Sequence, residues 1–439
     1  MTRRVSRRRL LAGSVPVAVG LAGCSFRWGP KNDDADGRAT TADPADDTGP
    51  SDGVATTERP NDDLFRYLSV TAGDPTYRRW QPGTGDRQGV QSIAYNVAYA
   101  RDFRSDLPAS EYETRTIWAA VYGYVGVEYE ELNGVIGGIA GRGAAYVGSF
   151  ERADVTERLT TTPYQRFETA EGVDYYRWGR SGGTRFVAVG DAGVVAGPAR
   201  QDADDPARAF VDETVPLFAT AAGDQLRRHE ESATYERYTD EVGWPLSVWI
   251  DPPRIAAGEG ADDVLPGGSA VPDDVAASVR VGYGRSVAGN ELVDRYWLWT
   301  TADGPAGPET VRAAYDDPEV RAAALGDTDE GELAVRRADR VVDVAVQEPI
   351  ADSGGGRDPP LVAADATVES GTLTLEHFAG DPLPLAQVSV PVGDESLSLG
   401  DGMLPPGESL PVDLPDGAAP QAVVYSPPAA ATRIAIAIL

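Results

Sequence analysis

Gly179-Arg180-Ser181-Gly182-Gly183 has the spacing of a serine nucleophile elbow. That elbow needs a strand, a sharp turn and then a helix, so that the hydroxyl stands clear of the sheet. Here Tyr175-Tyr176-Arg177-Trp178 leads in and Thr184-Arg185-Phe186-Val187 leads out, which reads as strand to strand. A serine-glycine hairpin turn accounts for it. A triad also needs a histidine, and the chain has two, His229 and His377. His229 sits in the polar run Arg227-Arg228-His229-Glu230-Glu231 and reads as solvated; His377 reads as a packing or turn residue. Two histidines and one cysteine exclude ordinary zinc sites. The pairs Glu130-Glu131, Asp262-Asp263, Asp273-Asp274 and Asp316-Asp317 could give oxygen ligands to calcium or magnesium. In a chain with 69 acids, however, such pairs arise from composition, and they read as turns and helix starts. Gly134 to Gly148 is glycine-rich but lacks the Gly-Lys-Ser/Thr of a P-loop, and Gly141-Arg142-Gly143 lacks the third glycine of a dinucleotide fingerprint. Trp244, Trp249, Trp297 and Trp299 could form a sugar platform; core packing is the commoner use of such residues. No catalytic residue, cofactor site or metal site is therefore assigned.

The remaining reactive group is Cys24, the single cysteine, which ends Leu21-Ala22-Gly23-Cys24. Upstream stand Arg7, Arg8 and Arg9 and an apolar run of 12 residues, Leu10 to Leu21. As a helix that run reaches roughly 18 Å, short of a hydrocarbon core of about 30 Å. A basic start, a short apolar stretch and small residues before a cut mark a removable signal. Together these residues resemble a twin-arginine export signal closing on a lipoprotein box. The resemblance implies cleavage before Cys24, a double-chained lipid on its sulfur, and residence on the outer face of the cell membrane.

Composition fits an exposed, acidic protein. The formal charge is −30 over 439 residues, and removal of residues 1–23 takes away five arginines and no acids, leaving about −35. Lys31 is the single lysine among 39 basic residues. This balance resembles that of halophilic archaeal proteins, in which salt screens self-repulsion. There is no basic stripe for nucleic acid. The mature chain has no disulfide framework, so its stability must come from apolar cores.

Residues 24–60, after the 1–23 signal, read as a disordered acidic tether, with Asp33-Asp34-Ala35-Asp36 and four prolines. From residue 61 the pattern is globular. Helices are predicted at Glu111 to Tyr122, Glu151 to Thr161, Asp205-Pro206 to Ala222-Gly223, and Pro308 to about Leu325. Strands are predicted at 135–139, 144–150, 165–168, 173–178, 184–189, 194–197, 244–250, 279–287, 292–300, 332–336 and 340–347. A hairpin, an acidic-start helix and two strands recur in residues 135–178 and 279–347. The expected fold class is α+β: two related antiparallel-sheet-plus-helix modules, 61–222 and 223–350, with helices covering one face of each sheet. Ala351 to Pro360 reads as a hinge, and residues 361–439 as an Ig-like β-sandwich.

That last segment carries a second resemblance. Leu373-Thr374-Leu375-Glu376-His377 and Gly380-Asp381-Pro382-Leu383-Pro384-Leu385 are similar to the start of the β-domain in archaeal type IV pilins, and Gly407, Val412, Leu414 and Ala422 to Tyr425 fit the same pattern. The resemblance implies an Ig-like sandwich displayed outside the cell. Pilins begin with a long apolar helix that this chain lacks, so a pilin-like module on a lipoprotein is what it implies here. The expected role is binding or structural, without catalysis. Its partners would be the membrane, through the lipid on Cys24, and surface-layer or other envelope proteins, with no nucleic acid. The alternatives are an extracytoplasmic carboxylate-dependent hydrolase and a solute-binding lipoprotein.

Overall fold

The computed structural model describes residues 75–82, 92–139, 143–180, 183–198, 203–231, 235–236, 239–240, 243–250, 265–300, 305–326, 331–338, 340–350, 354–393 and 395–439. Cys24, Arg7, Arg8 and the expected tether lie outside these residues, as do Ser181, Gly182, Asp262 and Asp263.

Among the described residues the strands are antiparallel throughout and the class is α+β. Twelve strands form one sheet. In chain order they are β1 Ser92–Asn96, β2 Leu132–Ile139, β3 Gly143–Gly148, β4 Gln165–Ala170, β5 Val173–Arg180, β6 Gly183–Gly190, β7 Gly193–Pro198, β8 Ser247–Ile250, β9 Val279–Ala288, β10 Glu291–Thr300, β11 Glu332–Ala338 and β12 Val341–Pro349. Across the sheet they run β11-β12-β10-β9-β8-β1-β2-β3-β7-β6-β5-β4. The stretches expected as separate modules are thus edge to edge, joined where Ser92–Tyr95 pairs with Ser247–Ile250. On each side of that join a single strand is followed by a hairpin, then helix, then a meander whose last strand returns beside the hairpin. The first half has two more strands in its meander.

The helices obey their end signals. Helix α1 (Val97–Asp102) is capped by Asn96, whose side chain accepts the Tyr99 N–H. Helix α2 (Ala109–Thr116) gives way to a 3₁₀ turn at Ile117–Ala120 where one longer helix was predicted. Helix α3 is Arg152–Leu159. Helix α4 (Pro206–Ala222) has Asp205 as N-cap, proline in its first turn and Gly223 at φ +91° as its left-handed stop. The helix predicted over 308–325 is two, α5 (Pro308–Ala314) and α6 (Pro318–Leu325). Pro318 forces the break, because it has no N–H for the preceding turn, and Asp317 caps α6.

The first half departs from the expectation that helices cover one face. Val187, Val189, Val194 and Tyr146 belong to a core on one face; Phe186, Ala188, Val195 and Ala145 belong to a core on the other. Helix α4 closes the second of these through Phe210, Val211, Leu217 and Phe218. The first is closed by the 3₁₀ turn, α3 and the C-terminal strands. Strands buried on both faces read as near-continuous apolar runs, as Phe186 to Val189 does. In the second half α5 and α6 cover one face with Val311, Tyr315, Val320 and Ala324.

Residues 361–439 form a three-stranded sheet, β13 (Val362–Glu369), β14 (Thr372–Gly380) and β19 (Ser409–Asp413), and a four-stranded one. The latter orders β17 (Glu395–Ser398), β16 (Val388–Val392), β20 (Ala422–Tyr425) and β21 (Ile434–Ile438). A short ribbon pairs β15 (Leu383–Pro384) with β18 (Met403–Leu404). Residues of both sheets share one apolar core with the first half. Trp178 meets Phe378 edge-on at 5.5 Å, and Tyr124 N–H donates to Val362 O at 2.9 Å. Where a hinge was expected, Gly354–Pro360 is tied down. Arg104 Nε donates to Gly356 O at 2.8 Å, Arg357 N–H to Glu113 at 3.0 Å, and Tyr112 O–H to Asp358.

Candidate functional site

The groups singled out from sequence do not converge. Gly179 and Gly183 lie at the ends of β5 and β6, paired in one hairpin, so the elbow context of strand and helix is not met. His377 is buried in β14, with Nδ1 2.9 Å from Leu404 O and Nε2 3.0 Å from Ala379 O, so both ring nitrogens are already engaged. His229 is half-buried in the short helix Arg228–Glu231 rather than solvated, because Arg227 and Arg228 bind back onto Pro82 and Gln81 and draw that helix against the body. Glu131 is held by Arg158, at 2.5 and 2.7 Å, and closes a capping box with Glu128. Asp273 and Asp274 open a helical turn, and Asp317 caps α6. Trp244 and Trp297 are buried in the core behind α4, with Trp299 partly buried against it. Among the described residues no group of three or more histidine, cysteine or acidic residues could hold a metal.

Two features that the sequence did not single out are built across elements. The first is a buried ionic hub at the join of the two halves. Cα partners across the sheet place Val135, Tyr95, Ser247, Arg285, Asp294 and Val346 in one row, and paired residues share a face. Arg285 grips Asp294 through Nε at 2.5 Å and through Nη2, and Tyr283 O–H donates to the same carboxylate at 2.6 Å. From above, α2 inserts Glu111, 3.0 Å from Arg285 and 2.8 Å from Arg115. Burial pushes the Glu111 carboxyl up, but the two guanidinium groups outweigh it and hold the pKa at about 2. Burial likewise raises the Tyr283 hydroxyl well above its ordinary range. With every charge matched, the hub is a clasp. Its sequence signal was a charged pair, Asp294-Arg295, inside the apolar run Leu292 to Trp299.

The second is an open groove of about 560 Å³ at the outer end of the sheet, on the face that α4 covers. It lies where the helix begins, with Asp205, Pro206 and Ala207 on its helix side. Gln165, Arg177 and Phe186 are cross-strand partners in one row, and Gly179 faces Thr184 in the next. Asp205 closes the helix side, with Oδ1 accepting the Arg208 N–H at 3.1 Å. The Arg177 guanidinium is parked 5.8 Å over the Phe167 ring. Sequence could not show the groove, because its walls come from segments some 40 positions apart.

No family model matches the chain, and no curated protein matches it. Among solved structures it is similar to crystal form I of TP0453, at 9% identity over 64% of this chain and 94% of that one, with a TM-score of 0.33. Crystal form III of TP0453 is similar at 10% identity, over 64% and 95%, with a TM-score of 0.35. A likeness this low carries nothing about what the chain does.

Proposed function

We propose that this chain is a lipid-anchored protein of the extracytoplasmic membrane face, with a binding or structural role in the cell envelope. Its two sheet halves are read as related modules and its last 79 residues as an Ig-like, pilin-like sandwich. The observation that carries the reading is Cys24 at the end of Leu21-Ala22-Gly23-Cys24, behind Arg7, Arg8 and a 12-residue apolar run. The acidic composition supports a protein that works in brine, where carboxylates keep their water and salt screens their repulsion. The pairing of ionisable groups supports binding over catalysis. Glu111, Glu131 and Asp174 all have lowered pKa values, and each is held by arginine within the scaffold. A general acid would instead need a raised value beside an open cleft. Asp381 is raised, by burial, but its carboxylate accepts the Leu361 N–H at 2.8 Å beside the sandwich. The envelope partners would be surface-layer or neighbouring membrane-bound proteins.

Lipid labelling of the native chain and of Cys24→Ser tests the anchor. Wild-type protein should take up isoprenoid or acyl label and stay with the membrane. The variant should take up none and appear in the medium. Equal labelling and equal release in both would end the proposal.

A further inference from the structure

The groove beside the start of α4 has the composition of a site for a neutral, polyhydroxylated molecule. Its volume of about 560 Å³ falls within the span of small-molecule sites, about 300–1,000 Å³. Among its described lining residues one is a cation, Arg177, and one an anion, Asp205, so their charges balance. Gln165 adds an amide and Thr184 a hydroxyl, which both donate and accept. Between them Pro163, Pro206, Ala207 and the bare backbone of Gly179 supply apolar surface, with the Phe186 ring buried beneath. A sugar ring presents that pairing: hydroxyls around its rim, each donor and acceptor, and a flat C–H face. An anionic ligand would meet Asp205, and a polyamine would meet Arg177. The exposed Arg177 side chain rests its guanidinium 5.8 Å from the Phe167 ring centre, a contact that favours this placement over others.

We infer that this groove binds a neutral saccharide of one or two hexose units, such as the exposed end of an envelope glycan. The inference rests on the surface location proposed above for the source of its ligand, and on the groove alone for the ligand's class. Gly179 supplies a clean block. A side chain added there meets nothing within 4 Å, and it shares a face with Arg177 two residues earlier on the strand. Gly179→Trp therefore fills the groove from its open side without displacing a core side chain.

The test is titration calorimetry on the full mature chain in high salt, with maltose and glucose as probes and glucuronate and spermidine as charged comparators. Maltose or glucose should bind and the comparators should not. Gly179→Trp should abolish binding with its unfolding midpoint unchanged, and Arg177→Ala should weaken binding about tenfold. No saccharide binding to wild type, a preference for glucuronate or spermidine, or full binding to a folded Gly179→Trp would each overturn the inference. Saccharide binding by a chain found to carry no lipid would overturn the anchor and leave the groove; a lipidated chain that binds no saccharide would do the reverse.

Discussion

The two halves of the twelve-stranded sheet run through the same succession of elements and bury different chemistry. The first half packs apolar side chains against both faces, Val187 and Val189 to one side and Phe186 and Ala188 to the other. The second half places ion pairs inside. Arg285 and Asp294 sit on one face, while Arg295 binds Asp343 on the other at 2.5–3.0 Å. Arg336 joins Asp343 at 2.8 Å, and the Arg295 guanidinium lies 4.6 Å from the Trp297 ring centre. Taking charges out of water is repaid only when geometry is close and the remaining donors are used. Arginine meets that condition better than lysine, because its planar fork grips a carboxylate at two points and stacks on rings. A chain whose basic residues are arginine but for Lys31 can therefore use charge as core material. The first half depends mainly on filled volume, with Asp174 and its arginine partners as its buried ion pair, and the second on intact partnerships.

The largest effect expected from breaking this contrast is at Asp294. Asp294→Ala leaves Arg285 buried with one partner fewer, and should cost about 3–5 kcal/mol in denaturant unfolding at high salt. The double variant Arg285→Met/Asp294→Leu should recover most of that loss, with Glu111 keeping Arg115. A loss under about 0.5 kcal/mol for the single variant, the size of a surface change, would remove the distinction between the halves. Acid titration comes next. The Glu111 carboxyl is held at about 2 against 4.5 for a free one. Because the folded value is the lower, its contribution of about 3 kcal/mol is whole above about pH 4.5 and is lost as pH falls toward 2. Glu111→Gln should flatten that part of the stability–pH curve, and an unchanged curve would contradict the clasp.

A smaller effect should separate the apolar side. Gly123 has φ +70°, and a Cβ there would stand 2.5 Å from Val362 O, where the first half meets β13. Gly123→Ala should cost about 1–3 kcal/mol and lower the thermal midpoint of the joint core with no change at acid pH. The smallest effect belongs to the surface. Glu309, which pairs with Arg337, is two-thirds exposed. Glu309→Ala should change stability by at most about 1 kcal/mol, and a larger loss would show that surface pairs matter here as much as buried ones.

What could be read in the chain was local. Asp205, Pro206 and Gly223 delimited α4 to within a residue, and Gly289-Asn290 placed the turn between β9 and β10. The Asp317-Pro318 break is legible in the sequence, where the expectation is one helix from Pro308 to about Leu325. Long-range pairing was not readable. Nothing in Ser92–Tyr95 names Ser247–Ile250 as its neighbour, because strand propensity carries no partner. Glu111 looked like an ordinary first-turn acid, and its function depends on an arginine 174 positions away. Glycine and proline between 354 and 360 signalled freedom of the backbone, and side chains of Arg104, Tyr112 and Glu113 removed it.

Helix α2 is only eight residues long, yet three successive side chains of it reach three regions. Glu111 reaches β9, Tyr112 reaches Asp358, and Glu113 takes the backbone N–H groups of Arg357 and Ala429, the latter at 2.7 Å. A helix turns about 100° per residue, so adding or deleting one residue ahead of Glu111 would swing all three away from their targets together. This short rod is the keystone of the molecule. Its length and phase are fixed by the geometry of what surrounds it.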